Sequence, residues 1–310
     1  MIRRGVRSGY GGRTGCATGT RKQAPEDRTT AEGRRVRHGE LDGLDQADLQ
    51  GDTGHLVWAA QATPEGRPGP GVRIRRRGTA TAVASPALSG RDRIAVAGRP
   101  ADAVPLVREV LAEVGPTYRP FGDAELIDAL IREIDGLEPG GAPFHWMETR
   151  TAPEPVHAPG LRLGWLDAGG ERQAQTLFDR FFPGSYAQPG RPGVRRWAGV
   201  YATERPDGAG EGDGERAGDG DADGGGGRLL AVAADAWSAA GCGLLAGVVA
   251  HPRARGRGLG AAVSAFVIDA LVRRYGRAAL MVDADNTPAV RAYERAGMRA
   301  RLFGAAGRAG

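Results

Sequence analysis

Two stretches near the C-terminus combine residue types and spacings that can do chemistry. The first runs from Leu244 to Gly260, where an apolar run ends and Arg255-x-x-Gly258-x-Gly260 opens a segment of helical periodicity. Such a loop puts main-chain N–H groups at a helix N-terminus, and those donors together with the helix dipole favour a bound pyrophosphate. Gly256, Gly258 and Gly260 let the main chain approach phosphates without a Cβ clash. Arg255 and Arg257 add charge-assisted contacts to phosphate oxygens. By itself this loop, with Leu259 inside it, fits a nucleotide, a dinucleotide or coenzyme A. The second stretch is Asn286-Thr-Pro-Ala-Val-Arg-Ala-Tyr293-Glu-Arg-Ala-Gly297. It reads as a helix capped by Thr287, with Pro288 at its first position and Gly297 as a left-handed C-terminal cap.

These residues need a scaffold. Leu161–Leu166, Trp197–Tyr201, Leu229–Ala233, Leu244–Ala250 and Ala278–Val282 read as strands. Gln173, Leu177 and Phe181 lie near a helix that ends at Pro183-Gly184. Residues 259–275 form a helix with Leu259, Val263, Phe266, Val267, Ala270 and Leu271 on one face. Met298, Ala300 and Leu302 alternate with arginines as a final edge strand. The strands flanking the 259–275 helix should be parallel, joined by a right-handed crossover, and the three before it an antiparallel meander. The fold class is therefore α/β (α+β), a mixed, mostly antiparallel sheet flanked by helices.

Upstream the composition changes. Residues 1–90 are rich in Arg, Gly and Pro and are expected to be disordered, with Leu56–Ala60 a brief apolar island. Residues 91–158 read as a small accessory region with two amphipathic helices, one over Asp102–Val114 and one N-capped by Asp123, plus a short strand at Ile94–Val96. Residues 160–310 form the main domain, interrupted at 205–227 by an acidic Gly-rich insert expected to be disordered.

Residues 1–40 carry ten Arg/Lys and four Asp/Glu, a balance of +6 against +5 for the whole chain of 310 residues, so the remainder carries −1. The basic character belongs to the tail, and the folded part has no bulk case for nucleic acid. An Arg/Gly tail can contact RNA, or it is a plain solvated extension. Two cysteines, Cys16 and Cys242, offer neither a structural disulfide nor metal-ligand spacing. No apolar stretch approaches about 18 residues, so no transmembrane helix and a cytoplasmic location are expected.

Taken together, Arg255-x-x-Gly258-x-Gly260 after a strand, followed by Asn286 and Tyr293 in Asn-x-x-Ala289-x-x-x-Tyr293-Glu-x-x-Gly297, resemble the GCN5-related N-acetyltransferase (GNAT) superfamily. The likeness is nearest to its FR47-like, glycine N-acyltransferase-like branch, and covers about residues 160–304. The resemblance implies an acetyl-CoA-dependent N-acyltransferase acting on a primary amine by direct attack. It implies that main-chain groups of Val248, Val249 and Ala250 pair with the pantetheine arm and that residues 255–260 hold the pyrophosphate. Asn286 would sit beside the coenzyme, Tyr293 would protonate the leaving thiolate, and the Val249 N–H would polarise the acyl carbonyl.

The chain departs from the family pattern in three ways. The strand Gly241–Ala250 lacks the carboxylate that often serves as general base, leaving Asp235, then Glu204 and His251, as substitutes. Met298 replaces an aromatic residue after Gly297. The chain also stops soon after Phe303, so the family's seventh strand is short, missing or supplied by another subunit. Rival readings remain beside this one. Gly256-x-Gly258-x-x-Ala261 with Asp283 fits a dinucleotide fingerprint, but Pro252–Arg255 separates the strand from the first glycine. A coenzyme A-binding sensor or partner-binding module of the same fold would explain the bare strand. The expected partner is a small-molecule or peptide amine, with no membrane, no metal, and a homodimer compatible with the sequence.

Overall fold

The computed structural model describes residues 53–154, 160–202 and 227–308. The Arg-rich stretch 1–52 and, but for Gly227, the acidic insert lie outside the described residues. The first half starts with a helix, α1 (Gly54–Ala59), and a meander of β1 (Arg73–Arg77), β2 (Ala80–Leu88) and β3 (Arg91–Ala97). It continues through α2 (Pro100–Val114), β4 (Arg119–Asp123), α3 (Ala124–Glu133), β5 (Leu137–Pro139) and β6 (Phe144–Thr149). The second half repeats the scheme after β7 (Leu161–Trp165) and α4 (Ala168–Phe181). Its meander is β8 (Val194–Ala202), β9 (Leu229–Ala236) and β10 (Gly243–Ala250), followed by a 3-10 turn at Pro252–Ala254, α5 (Leu259–Tyr275), β11 (Ala278–Asp283), α6 (Thr287–Arg295) and β12 (Arg299–Arg308).

The twelve strands of the described residues join one sheet in the order β1-β2-β3-β4-β12-β6-β11-β10-β9-β8-β7, with β5 added on β12. Of these pairs, β3 with β4 and β10 with β11 run parallel, and the others antiparallel. Each parallel pair is bridged by a helix, α2 or α5, as a crossover requires. On one face of the sheet α5 packs over Leu245, Ala278, Leu280 and Met147, and α2 and α3 pack over Ile94, Val96 and Ala306. On the other, α1 covers Ala95, Phe121, Trp146, Leu244 and Phe303, and α4 covers Trp197, Val232 and Val249.

Residues 53–90 correct the reading from composition. All six residues of α1 are buried, and Leu56 and Trp58 are fully enclosed. The strand β2 is built from Ala, Thr, Val and Ser, and is buried at every position from Ala80 to Ser85 because helices cover both of its faces. Small residues gave it no apolar periodicity, and the Gly/Pro/Arg content of 64–78 masked the hairpin. The region 91–158 is likewise no separate accessory unit. Its strand β6 inserts between β11 and β12, pairing Trp146 with Met281 on one side and Arg301 on the other. The place expected for a strand from another subunit is thus filled from this chain's own first half. The strand expected at the edge, β12, lies in the interior between β6 and β4.

One buried group ties this core to pH. His55 on α1 is fully buried, with Nε2 3.1 Å from the Val96 carbonyl and Nδ1 enclosed without a partner. With the proton on Nε2 the ring donates to Val96 and stays neutral. Burial, with Arg301 nearby, outweighs the Val96 bond and Asp123 and lowers its pKa to about 4 from 6.5. The unfolded chain therefore binds this proton first as pH falls. Stability from this residue is present above about pH 6.5 and declines toward pH 4, by up to about 3 kcal/mol. Urea unfolding near pH 7 and near pH 4.5 should show this decline, and a His55→Leu variant should show a smaller one. An identical decline in the variant would assign the acid sensitivity elsewhere.

Candidate active site

The candidate site begins where two parallel strands part. β10 and β11 pair only at Gly243–Ala278 and Leu244–Ala279. Beyond Leu244, β10 stays in the ladder with β9 but has no partner toward β11. Its ladder to β9 shifts between Ala246 and Val249, so Gly247 and Val248 form a bulge opposite Ala233. Gly247 adopts φ +62, and a Cβ there would stand 2.6 Å from the Trp197 ring and 3.1 Å from Ala187 Cβ. Only glycine fits both the conformation and the space. The split and the bulge together leave main-chain groups of 247–250 free of a second strand on the β11 side.

At the end of β10 the chain turns through Pro252–Ala254 into the glycine loop. That turn fills the offset between strand and first glycine, which a dinucleotide fingerprint does not have. Gly256 and Gly258 adopt φ +76 and +74, and a Cβ at either position would meet nothing within 4 Å. Gly258 is the N-cap of α5, and no side chain caps that end. The first N–H groups of α5 have no intrahelical acceptor. Residues 255–258 are exposed, and the arginine of the turn, Arg253, stands with Arg180, Arg228 and Arg255 around His251. An open, uncapped helix end inside a bank of arginines fits a phosphate group well.

Tyr293 comes from α6 and packs in the cluster formed by α5, β10 and β11, only 8% exposed. Its hydroxyl lies beside Ser264 in the second turn of α5, close enough for mutual influence though without a formed hydrogen bond. Burial pushes the phenol above its usual value of 10, with Ser264 pulling weakly the other way. The group is therefore a proton holder at neutral pH. Asn286 is the cap of α6, its Oδ1 accepting from the Ala289 N–H at 3.3 Å. This corrects the assignment of the cap to Thr287, which is the first helical residue. Gly297, at φ +81, closes the helix as expected.

Asp235 lies on β9 and is 1% exposed. Its Oδ1 accepts from Ser238 Oγ at 2.5 Å, and its Oδ2 is 3.4 Å from Arg196 Nε. Ser238 Oγ in turn accepts from the Leu244 N–H at 2.8 Å. Asp235 thus braces the turn that delivers β10 to the split. Glu204 lies outside the described residues. His251 keeps Nδ1 against the Arg253 N–H at 3.2 Å and Nε2 against Arg228 Nη2 at 2.8 Å. Partial burial, then the neighbouring arginines, hold its pKa below the ordinary value. Cys242 is buried, and its thiol is pushed well up by burial. Among the described residues no group of three or more His, Cys, Asp or Glu is placed to hold a metal. No helix among them is long and apolar enough to cross a membrane.

The sequence reading missed Gly247, the bulge it permits, and Ser264. A glycine inside an otherwise apolar strand was the available signal for the bulge. With the split, the bulge and the glycine loop in place, comparison with known proteins becomes informative. The segment 226–304 matches the family described as FR47-like protein. The matched segment holds β9, β10, α5, β11 and α6, and with them the split, the loop and Tyr293. A solved GCN5-related N-acetyltransferase from Kribbella flavida is 17% identical, with a TM-score of 0.50 over 83% of this chain and 94% of that one. A GCN5-related N-acetyltransferase from Sphaerobacter thermophilus is 17% identical, with a TM-score of 0.45 over 79% and 78%. A GCN5-related N-acetyltransferase-like protein from Streptococcus suis is 14% identical, with a TM-score of 0.43 over 84% and 95%. The Kribbella likeness shows a GNAT fold. No curated protein matches the chain.

Proposed function

We propose that the protein is an acetyl-CoA-dependent N-acyltransferase that acetylates a primary amine by direct attack. The observation that carries this reading is the parting of β10 from β11 at Leu244, with the Gly247 bulge at one side and the uncapped N-terminus of α5 at its end. That geometry offers a long thioester ligand a strand edge for its arm and a helix end for its phosphates. Bound acetyl-CoA would supply an activated acyl group. Arg255, Gly256, Arg257, Gly258, Leu259 and Gly260 would hold its pyrophosphate, and the main chain of Val248, Val249 and Ala250 its arm. Asn286 would border the same cleft from the start of α6. The Val249 N–H would donate to the acyl oxygen as charge develops there. Tyr293, kept protonated by burial, would give its proton to the departing sulfur.

Thiol release from acetyl-CoA across a broad amine panel tests the proposal directly. Turnover with at least one amine is expected. Tight acetyl-CoA binding with no release for any amine would instead favour a coenzyme A sensor of the same fold, and NAD binding without an acetyl-CoA response would overturn both. The phosphate cradle has its own test. Gly258→Val places a β-branched residue at φ +74, a strained position for any L side chain. Its acetyl-CoA Kd should rise about tenfold or more, while the melting temperature falls by only a few degrees because nothing packs against that site. An unchanged Kd would remove the loop from the binding site.

A further inference from the structure

The buried face of α5 carries one hydroxyl with no task in the acyl-transfer scheme. Ser264 is the one polar side chain among the buried residues of this helix, 1% exposed between Val263 and Ala265. A helical serine can turn its hydroxyl back to the carbonyl four residues earlier, here that of Gly260. Ser264 does not. Among the described residues its Oγ, fully enclosed, has no hydrogen-bond partner. A buried hydroxyl without a partner destabilises a fold, and an alanine, as at 261, 262 and 265, would fill the helix position without that cost. What faces this hydroxyl is Tyr293. It is the one buried residue of α6, and its own hydroxyl lies beside Ser264. The side chain that docks α6 thus meets the single buried hydroxyl of α5.

The relation between the two hydroxyls changes when Tyr293 acts as an acid. While protonated, the phenol needs no donor. Once its proton leaves, a phenolate stands in the apolar cluster that includes Val263, Val267 and Val282. Burial disfavours that charge, and a hydrogen bond to the charged form favours it. The Ser264 O–H rotates to suit its surroundings and can donate to the phenolate, and hydrogen bonds to a charged oxygen are about twice as strong as neutral ones. The interaction therefore strengthens as the proton departs, which is the condition for accelerating a step. Burial raises the pKa of Tyr293 and Ser264 opposes it, the sign expected of such a donor. The protons balance. A C–N bond forms, the C–S bond breaks with its electron pair on sulfur, and Tyr293 gives sulfur a proton. The amine nitrogen sheds one proton as the amide forms, that proton restores the phenol, and Ser264 keeps its own.

We infer that Ser264 is a positioning residue for proton transfer, its buried and unpartnered hydroxyl donating to the Tyr293 oxygen as that oxygen becomes an anion. This rests on the acyltransferase reading and deepens it by naming the group that supports its acid. Ser264→Ala in the full chain tests it. Single-turnover thiol release should fall about tenfold to hundredfold, with acetyl-CoA Kd within about twofold of wild type. The melting temperature should stay level or rise, because the variant deletes a buried group that has no partner. A serine that only filled space would leave the rate alone. In a Tyr293→Phe background the same substitution should cost no further rate, since the group it serves is gone. A second readout needs no acetyl-CoA. Tyrosinate absorbance at alkaline pH, less that of the matching Tyr293→Phe chain, isolates the Tyr293 titration, and Ser264→Ala should move it to higher pH. A wild-type rate in Ser264→Ala, an equal loss in the Tyr293→Phe background, or an unmoved titration would each overturn the inference and leave acyl transfer standing. No thiol release from the wild-type chain with any amine would overturn both.

Discussion

Tyr293→Phe should abolish most turnover while leaving acetyl-CoA bound as tightly as before. The substitution removes one oxygen from a side chain enclosed by α5, β10 and β11 and keeps the ring that fills the space. The hydroxyl makes no formed hydrogen bond with Ser264, so the change in stability should stay near 1 kcal/mol. The chemistry is affected far more. Burial keeps this phenol protonated across the neutral range, and proton transfer by a positioned side chain contributes about 10²- to 10⁴-fold in rate. Single-turnover thiol release should fall by that amount at unchanged acetyl-CoA Kd. A kcat within about twofold of wild type would reduce Tyr293 to a core aromatic.

A second large effect is expected far from the cleft. Trp58→Ala should destabilise the protein by about 3–5 kcal/mol, the range for deleting a buried aromatic ring. Trp58 is fully enclosed, with ring centroids 5.7 Å from Trp146 and 6.1 Å from Phe121. Its Nε1 also donates to the Trp237 carbonyl at 3.0 Å, and Gln61 donates to the same oxygen. Trp237 is held at φ +50, just before Ser238, whose hydroxyl accepts from Leu244 where the split begins. Losing Trp58 should therefore both lower the denaturant midpoint and raise the KM for acetyl-CoA. A loss under about 1 kcal/mol would show that α1 is dispensable to the core.

The contrast between these two residues shows what the sequence could convey. Around Tyr293 the signals were local. The glycines, Pro288 and the periodic face of 259–275 each act within a turn or two, and that helix spans the residues expected. Even there, a capping asparagine one position earlier was credited to Thr287, because both types cap well. Around Trp58 the signals were not local. Six residues make a helix too short to show periodicity, and all of them are buried by strands distant in sequence. β6 has no local strand signal because its partners are supplied by residues 278–283 and 299–303.

The interleaving of β6 and β12 also dictates when this protein can become itself during synthesis. Asp123 on β4 and Arg301 on β12 are joined by a bidentate ion pair across 178 residues of chain. Until β12 leaves the ribosome, β4 exposes a row of unpaired N–H and C=O groups, a template for mispairing. Neither half can close its sheet first, so domain-by-domain maturation is denied to this chain and its slow, long-range pairings come last. The nascent protein should depend on chaperones until its C-terminal strand emerges. Splitting the gene between β6 and β7 should yield two fragments that gain structure only when mixed.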